Sequence, residues 1–273
     1  MRKRVHVALV VVLLVLAGVI GWQVSHLPES EPVYQGRRLS SWLKDYRIPY
    51  GTGSSGLFAV SDARQDADEV VRQAGTNALP TLFRMLRAKD SSLKENLMDL
   101  VIRQHIVKLD FTLAVDLNWR ACEAFRVLGA EAQSAVPALI EIANQNISHS
   151  SRCCAIRAVG SIGPSANGAV PALLRWATNP DAGVRCNAIF ALGKIGAEPH
   201  RVVPVLMNAL HDPRPDVRFN AVRALVQFGP KARLAVPALV EILSNAQDGK
   251  QRSRAEYVLK AIAPEAAARA GVR

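Results

Sequence analysis

The sequence predicts an all-α protein whose main part, residues 62–273, is an α-solenoid of stacked antiparallel helix pairs. A proline recurs at spacings of 34, 33 and 33 residues inside phrases such as AVPALI, and a glycine stands eight residues before each proline. A fixed period of this length is typical of helical repeat arrays, in which each unit buries its apolar face against the next. The repeat-defining residues are Pro137, Pro171, Pro204 and Pro237, preceded by Gly129, Gly163, Gly196 and Gly229.

Each repeat is predicted to contain two helices. Before each glycine, apolar residues recur at i, i+1, i+3, i+4 and i+7, as in the run from Ala155 to Ile162, and this spacing places them on one helical face. A glycine after a helix allows a left-handed turn, and a proline is tolerated in the first turn of the next helix. We therefore expect the glycine to end one helix and the proline to open the next.

These phrases resemble the HEAT repeat family. The second-helix pattern of that family is seen as VRCNAIFALGKIG from Val184 and as VRFNAVRALVQFG from Val217, and its first-helix phrase VPALI recurs at the prolines. The resemblance covers about residues 66–263, with a degenerate early copy around Gly75 and an irregular insertion at residues 105–118. The whole chain looks like a group of membrane-anchored bacterial HEAT repeat proteins.

The resemblance implies a structural role for a repeated arginine that precedes the first alanine of each apolar stripe by three residues. In HEAT repeats this arginine bonds to turn residues of neighbouring repeats, and Asn146, Asn179 and Asp212 lie at the matching turn position. Such charge-assisted hydrogen bonds would fix the stacking of the repeats. The predicted structural ladder consists of Arg152, Arg185, Arg218 and Arg252.

The resemblance also implies that the second helix of each pair lines a concave face where partners bind. Exposed positions on these helices suggest a moderately basic groove with one aromatic residue, which suits an acidic peptide segment of a protein partner. The alternative is that these are unrelated solvated side chains. The candidates are Arg157, Phe190 and Arg223 at one repeat position, with Ser161, Lys194 and Gln227 one turn later.

The N-terminus predicts a transmembrane helix within residues 1–24. Three basic residues follow Met1, and Val7–Trp22 contains no charged or strongly polar residue, so the apolar span approaches membrane thickness. Basic residues before the span predict that this end stays in the cytoplasm and that the repeats lie on the extracytoplasmic side. The alternative is a cleaved signal peptide, which would make the protein secreted or periplasmic, although no A-x-A motif is present.

Residues 25–61 are predicted to be a linker that contains one short helix. The run GTGSSG favours a flexible connection. A helix capped by Ser40 or Ser41 would dock onto the first repeat or, alternatively, serve as a peptide handle for another protein. The residues with helical spacing are Leu39, Trp42, Leu43 and Tyr46.

Charge and cysteine usage narrow the functional classes. The net charge is +11, but basic and acidic residues alternate along the repeats, which favours a solvated basic surface over nucleic-acid binding.

The four cysteines are not expected to pair. Equivalent positions on stacked helices lie roughly 8–10 Å apart, beyond the reach of a disulfide. We therefore expect small buried hydrophobes at Cys122, Cys153, Cys154 and Cys186, and neither a metal site nor a cofactor.

Catalytic motifs are not recognised in the sequence. The glycines of GTGSSG match a dinucleotide fingerprint but lack the required strand before them, and the chain has neither a His-Glu pair nor a G-x-S-x-G phrase. Trp119 and Trp176 are expected to pack in the core. The sequence therefore predicts a non-enzymatic protein-interaction scaffold. The alternatives are a HEAT-like enzyme of the bilin lyase type, with a pocket near Trp119, and a nucleic-acid binder with a basic groove.

Overall fold

The structure, a computed structural model, describes residues 31–46, 62–92, 94, 112–245 and 249–272. The predicted transmembrane helix at residues 1–24 lies outside these ranges, as do 105–111 of the predicted insertion and much of the predicted linker. Among the described residues, none of the helices combines the length and the apolar character that a membrane crossing requires.

The described chain is a helical repeat array that begins with a small hairpin. Strands β1 (Val33–Tyr34) and β2 (Arg37–Arg38) pair antiparallel and lead into helix α1 (Leu39–Trp42) and a 3₁₀ turn, Leu43–Asp45. The remaining helices are α2 (Asp62–Ala74), α3 (Leu79–Leu86), α4 (Ala114–Leu128), α5 (Val136–Gln145), α6 (His149–Ile162), α7 (Val170–Trp176), α8 (Ala182–Ile195), α9 (Pro199–Ala209), α10 (Pro215–Phe228), α11 (Val236–Asn245), α12 (Gly249–Ile262) and α13 (Pro264–Arg269).

The helices form two layers. The first helices of the repeats, which follow the repeat proline or its equivalent, are α3, α5, α7, α9 and α11, and the second helices, which precede the glycine, are α4, α6, α8, α10 and α12. Each second helix packs against the first helix of its own repeat and against the second helices on either side. The apolar stripe predicted from Ala155 to Ile162 is buried between these layers.

The second helices approach one another closely because two of them carry glycine at the crossing point. A Cβ atom on Gly160 of α6 would lie 2.6 Å from the Cα of Ala191 in α8, and one on Gly193 would lie 2.7 Å from the Cβ of Ala224 in α10. The first helices contact one another much less. The layer of second helices is therefore the more tightly spaced one.

The repeat glycines all take positive φ, between 50° and 77°. After Gly129, Gly163 and Gly229 the chain enters a 3₁₀ segment of seven residues that leads straight to the helix opened by the repeat proline. Gly196 differs, because it has left-handed helical dihedral angles and no 3₁₀ segment follows it.

The repeat that contains Pro204 departs from the prediction that its proline opens a helix. Helix α9 starts at Pro199, after Glu198 in the left-handed conformation, so that Pro204 lies inside the helix. A second proline five residues earlier takes the helix-opening role, for which its fixed φ is suited. Pro204 has no N–H to donate to the carbonyl of His200 one turn before it.

The N-terminal segment is more ordered than the predicted linker. It includes a hairpin, and α1 starts at Leu39 after Arg38, so neither Ser40 nor Ser41 is its cap. Ser40 lies in the first turn and instead binds the carboxylate of Glu31 through its backbone N–H and its hydroxyl group. The predicted apolar residues are buried against α2 and α4, and the Tyr46 hydroxyl donates to Asp68 Oδ1 at 2.7 Å.

The irregular insertion predicted at residues 105–118 extends too far toward the C-terminus. Residues 114–118 belong to the first turns of α4. Asn118 is fully buried there, and its amide group donates to the carbonyl oxygens of Met85 and Leu86 at 2.8 and 3.0 Å. These are among the last carbonyls of α3, which the helix itself cannot satisfy. Asn118 takes the position that the repeated arginine holds in later repeats.

Two of the four ladder arginines bind turn groups. Arg185 makes a two-pronged contact with the carboxylate of Asp212 in the next repeat, at 2.7 and 3.0 Å, and also donates to the carbonyls of Asn179 and Pro180. Arg218 donates to the carbonyls of Asp212 and Pro213. Asp212 thus links two consecutive arginines, because its carboxylate binds one and its carbonyl binds the other.

The other two arginines differ from the predicted ladder. Within the described residues no hydrogen bond joins Arg152 to Asn146, which instead ends α5 in the left-handed conformation, and the Nε of Arg152 is buried without a partner. Arg252 is more than half exposed and pairs with Glu256 one turn later in its own helix. Beyond this pair, α13 packs against α12.

We expect Gly160→Ala to destabilise the array. The new methyl group would overlap the Ala191 backbone, and overpacking of this kind costs roughly 1–3 kcal/mol, more than the helix propensity of alanine returns. The measurement is the free energy of unfolding in urea. Gly168→Ala is the matched control, because a Cβ there meets no heavy atom within 4 Å. Equal stability of the two variants would contradict the close crossing of α6 and α8.

We expect Arg185→Lys to lower the free energy of unfolding by about 1–3 kcal/mol, because lysine keeps the charge but loses the forked contact with Asp212. The two side chains are only 15% and 10% exposed. The control is Arg252→Lys at the equivalent but exposed position, where we expect almost no change.

The stability that the pair of Arg185 and Asp212 contributes should depend on pH. Burial raises the pKa of Asp212, but hydrogen bonding and charge from Arg185 outweigh burial and leave that pKa below its usual value. A carboxyl with a depressed folded-state pKa contributes stability above its unfolded pKa, about 3.9, and loses it as pH falls through the folded value. Unfolding titrations from pH 6 down to pH 2 should therefore show a shallower acid loss in Arg185→Lys than in the wild type.

Candidate protein-interaction face

The exposed side of the second helices carries the predicted partner-binding residues, and we call it the second-helix face. Three repeat positions, one helical turn apart, lie on this side of each second helix. The first position holds Trp119, Cys153, Cys186, Phe219 and Ser253, the second holds Glu123, Arg157, Phe190, Arg223 and Tyr257, and the third holds Val127, Ser161, Lys194, Gln227 and Ala261.

Arg157 lies between two aromatic rings at the centre of this face. Its guanidinium carbon is 5.6 Å from the ring centroid of Trp119 in α4 and 4.7 Å from that of Phe190 in α8. The ammonium group of Lys194, one turn further along α8, lies 5.9 Å from the same Phe190 ring. These distances are within the range of cation–π attraction. Three neighbouring second helices are thus joined by alternating cationic and aromatic side chains.

The pattern continues on α10. The guanidinium carbon of Arg223 lies 5.7 Å from the centroid of Phe219, which is 59% exposed. Arg223 and Gln227 line a small cleft together with Phe190, Asn220 and Ala224. The structure therefore brings Arg157, Phe190, Lys194, Arg223 and Gln227 onto one surface. Ser161 is half-buried, and its hydroxyl is bonded to the carbonyl of Arg157.

Sequence reasoning missed three aromatic residues of this face. Trp119 was predicted to pack in the core, but it is only half-buried and lies against Arg157, whereas Trp176 is 2% exposed, as expected. Phe219 and Tyr257 are both 59% exposed. The signal was available, because Phe219 shares its repeat position with Trp119, and Tyr257 shares that of Phe190.

At its N-terminal end, the second-helix face carries a carboxylate where the next repeat carries a cation. Glu123 stands at the position of Arg157 but is buried, and it accepts hydrogen bonds from Arg64 at 2.8 Å and from Arg126 at 3.0 Å. Arg126 also lies 3.7 Å from Asp68, the carboxylate that binds Tyr46. An ion-pair network that includes the docked N-terminal segment therefore closes this end, and the cations that remain on the face are those of α6, α8 and α10.

The cysteines differ in part from the prediction of small buried hydrophobes. Cys122 and Cys154 are buried, but Cys153 and Cys186 are only half-buried on the second-helix face. The thiol of Cys186 accepts a hydrogen bond from the Asn220 amide at 3.1 Å. Cys153 Sγ lies 3.7 Å from His149 Nε2, a contact that the i, i+4 spacing in the sequence already allowed. In the described part of the chain, no group of three or more His, Cys, Asp or Glu side chains could hold a metal ion.

A family comparison agrees with the repeat architecture of residues 170–260. A family model described as HEAT repeats matches residues 170–260. A crystal structure of an engineered protein is similar at 19% identity and a TM-score of 0.41, over 82% of this chain and 96% of the other. A second engineered protein is similar at 18% identity and a TM-score of 0.43, over 85% of this chain and 71% of the other. No curated protein matches the chain. The matched repeats and the stacked helix pairs around them make this chain a HEAT-like repeat protein.

Proposed function

We propose that this protein is a non-enzymatic scaffold that binds an acidic segment of a protein partner on its second-helix face. The observation that carries the proposal is the row in which Arg157 lies between the rings of Trp119 and Phe190, together with the separate pair of Arg223 and Phe219 on α10. Extended repeat surfaces of this type serve protein interactions through shape and side-chain complementarity.

Each cation on this face is held in place yet remains available to a ligand. A guanidinium stacked over an aromatic ring keeps its N–H groups free along its edge, where a carboxylate can accept two parallel hydrogen bonds. Phe219 and Tyr257 are each 59% exposed beside these cations and offer apolar anchors. The ligand that satisfies both features is a peptide with Asp or Glu side chains interspersed with aromatic or other apolar ones.

A peptide fits this face better than a nucleic-acid backbone does. Only three cations, Arg157, Lys194 and Arg223, stand on the central part of the face, spread over three helices. Non-specific nucleic-acid binding rests on neutralising many phosphates at once. Three charges would give weak binding that ordinary salt concentrations suppress.

The proposal includes a location. Arg2, Lys3 and Arg4 followed by the apolar span Val7–Trp22 support a membrane tether whose N-terminus stays in the cytoplasm. The repeats would then face a partner on the extracytoplasmic side, where little nucleic acid is available.

Charge reversal tests the binding surface. We expect R157E/K194E/R223E to weaken binding of fluorescein-labelled peptides that contain both Glu and Tyr at least about tenfold, because each exchanged cation repels a carboxylate. Fluorescence anisotropy at several salt concentrations is the measurement. Peptides with Lys in place of Glu, and single-stranded DNA of matched length, are the comparison ligands.

The matched control is R175E/R201E/R233E, which makes the same charge change outside the second-helix face. Equal loss in the two triple variants would show that binding follows net charge and would contradict the proposal. Strong DNA binding with a steep salt dependence, abolished only by the first triple variant, would replace the protein ligand with a nucleic acid.

Topology is tested separately. With a protease-sensitive tag fused after Arg273, we expect external protease to remove the tag in spheroplasts while a cytoplasmic marker protein stays intact. R2Q/K3Q/R4Q should reduce the removable fraction, because the orientation depends on these charges. A tag that is protected in the wild type would contradict the proposed location but leave the binding surface untouched.

A further inference from the structure

Three side chains outside the cation–aromatic row form a chain of contacts across one repeat boundary. His149 and Cys153 lie one turn apart on α6, and Asp181 lies in the turn before α8. Cys153 Sγ is 3.7 Å from His149 Nε2, and His149 Nδ1 is 2.9 Å from Asp181 Oδ2. A nucleophile therefore contacts a base, and the base contacts a group that orients it. This arrangement activates thiols and hydroxyls in proteins.

The contacts define the tautomer of His149. Asp181 stays ionised, because hydrogen bonds from the backbone N–H groups of Val184 and Gly183 and the nearby His149 outweigh burial and keep its pKa below the usual value. An ionised carboxylate can only accept, so Nδ1 of His149 carries the proton. The lone pair of Nε2 therefore faces the thiol of Cys153.

The position of the imidazole is built into the fold. A Cβ atom on Gly183 would lie 2.9 Å from His149 Cε1, so a larger residue there would displace the ring. Asp181 uses its other oxygen, Oδ1, to cap α8 through Gly183 and Val184. The carboxylate that orients the base is thereby fixed to the backbone of the next repeat.

The thiol needs this base. Burial, followed by the negative charges of Asp181 and Cys154, raises the pKa of Cys153 to about 12, against a lowering effect of Arg152 and of a hydrogen bond from Asn187 in α8. With that pKa, only about one thiol in 10⁵ is ionised at pH 7. Any reactivity at neutral pH must then pass through proton transfer to Nε2 of His149.

We propose that His149, Cys153 and Asp181 form a reactive-thiol site whose substrates are small-molecule disulfides. The sulfur of Cys153 attacks one sulfur of the disulfide while its proton passes to Nε2 of His149. The disulfide bond of the reagent breaks, a mixed disulfide forms on Cys153, and the departing thiolate takes the proton from His149. The exchange balances, because the Cys153 sulfur is oxidised as the leaving sulfur is reduced to a thiol, and one disulfide bond forms as one breaks.

The surroundings admit such a reagent. The His149 side chain is 65% exposed, and the half-buried Cys153 lies at the surface beside it. Arg157 stands one turn further along the same face of α6. Its positive charge favours anionic disulfides, of which oxidised glutathione is the probe of choice.

The chain contains its own control thiol. Cys186 occupies the same repeat position on α8, is also half-buried, and accepts a hydrogen bond from Asn220 as Cys153 does from Asn187. Four residues before Cys186 stands Ala182, so this thiol has no histidine at the position of His149. The two sites differ mainly in the base.

The test is the rate at which oxidised glutathione modifies each cysteine, followed by peptide mass spectrometry of the full chain. We expect Cys153 to react at least about tenfold faster than Cys186 at pH 7.5, a difference that general-base assistance readily supplies. His149→Gln should reduce the rate at Cys153 to that at Cys186. Asp181→Asn should lower it several-fold while retaining the helix cap, because asparagine caps as well as aspartate does.

The pH profile separates this site from mere exposure. The rate at Cys153 should rise less steeply with pH than a thiolate-only reaction does, because the imidazole of His149 accepts the thiol proton during the attack. The rate at Cys186 should continue to rise about tenfold per pH unit, because it follows the thiolate alone. Equal rates at the two cysteines, or an unchanged rate in a His149→Gln variant with wild-type urea stability, would overturn the proposal.

Discussion

The close crossing of the second helices is the constraint on which the rest of the structure depends. Gly160 and Gly193 have no side chain where Ala191 and Ala224 meet them, so α6, α8 and α10 pack with almost nothing between their backbones. The first helices contact one another much less. The close packing of the second helices brings their side chains near enough for Arg157 to contact the rings of both Trp119 and Phe190.

Hydrogen bonds at the turns also join neighbouring repeats. In the turn between α9 and α10, the carboxylate of Asp212 accepts hydrogen bonds from Arg185 of the preceding repeat. The backbone carbonyl of Asp212 accepts a hydrogen bond from Arg218 of its own repeat. Asp181 acts similarly one repeat earlier, where it caps α8 and holds His149. Acidic turn residues are thus the points at which one repeat determines the side-chain geometry of the next. The charged contacts lie at the edge of the solenoid, and the apolar ones lie between its layers.

Much of the fold was predictable because it repeats. The glycine, proline and alanine positions recur with one period, and each recurrence strengthens the prediction of the same local structure. Several of the places where prediction failed have no second copy. The hairpin before α1, the start of α4 at Ala114 and the opening of α9 at Pro199 each occur once, so periodicity carries no information about them. Cys153 and its histidine were visible at i, i+4, but the contribution of Asp181 comes from a different repeat and appears only in three dimensions.

The two ends of the array set the length of what it can hold. Glu123 and its arginine partners close the face at α4, and α13 packs beyond α12 at the other end. Between Trp119 and Tyr257 lie four steps from one second helix to the next, each about 8–10 Å, or roughly 32–40 Å in all. An extended chain advances about 3.3 Å per residue, so about ten to twelve residues would fill the face. The number of repeats therefore sets the ligand length that the face can accommodate. A ligand of that length can contact every aromatic residue of the face at once.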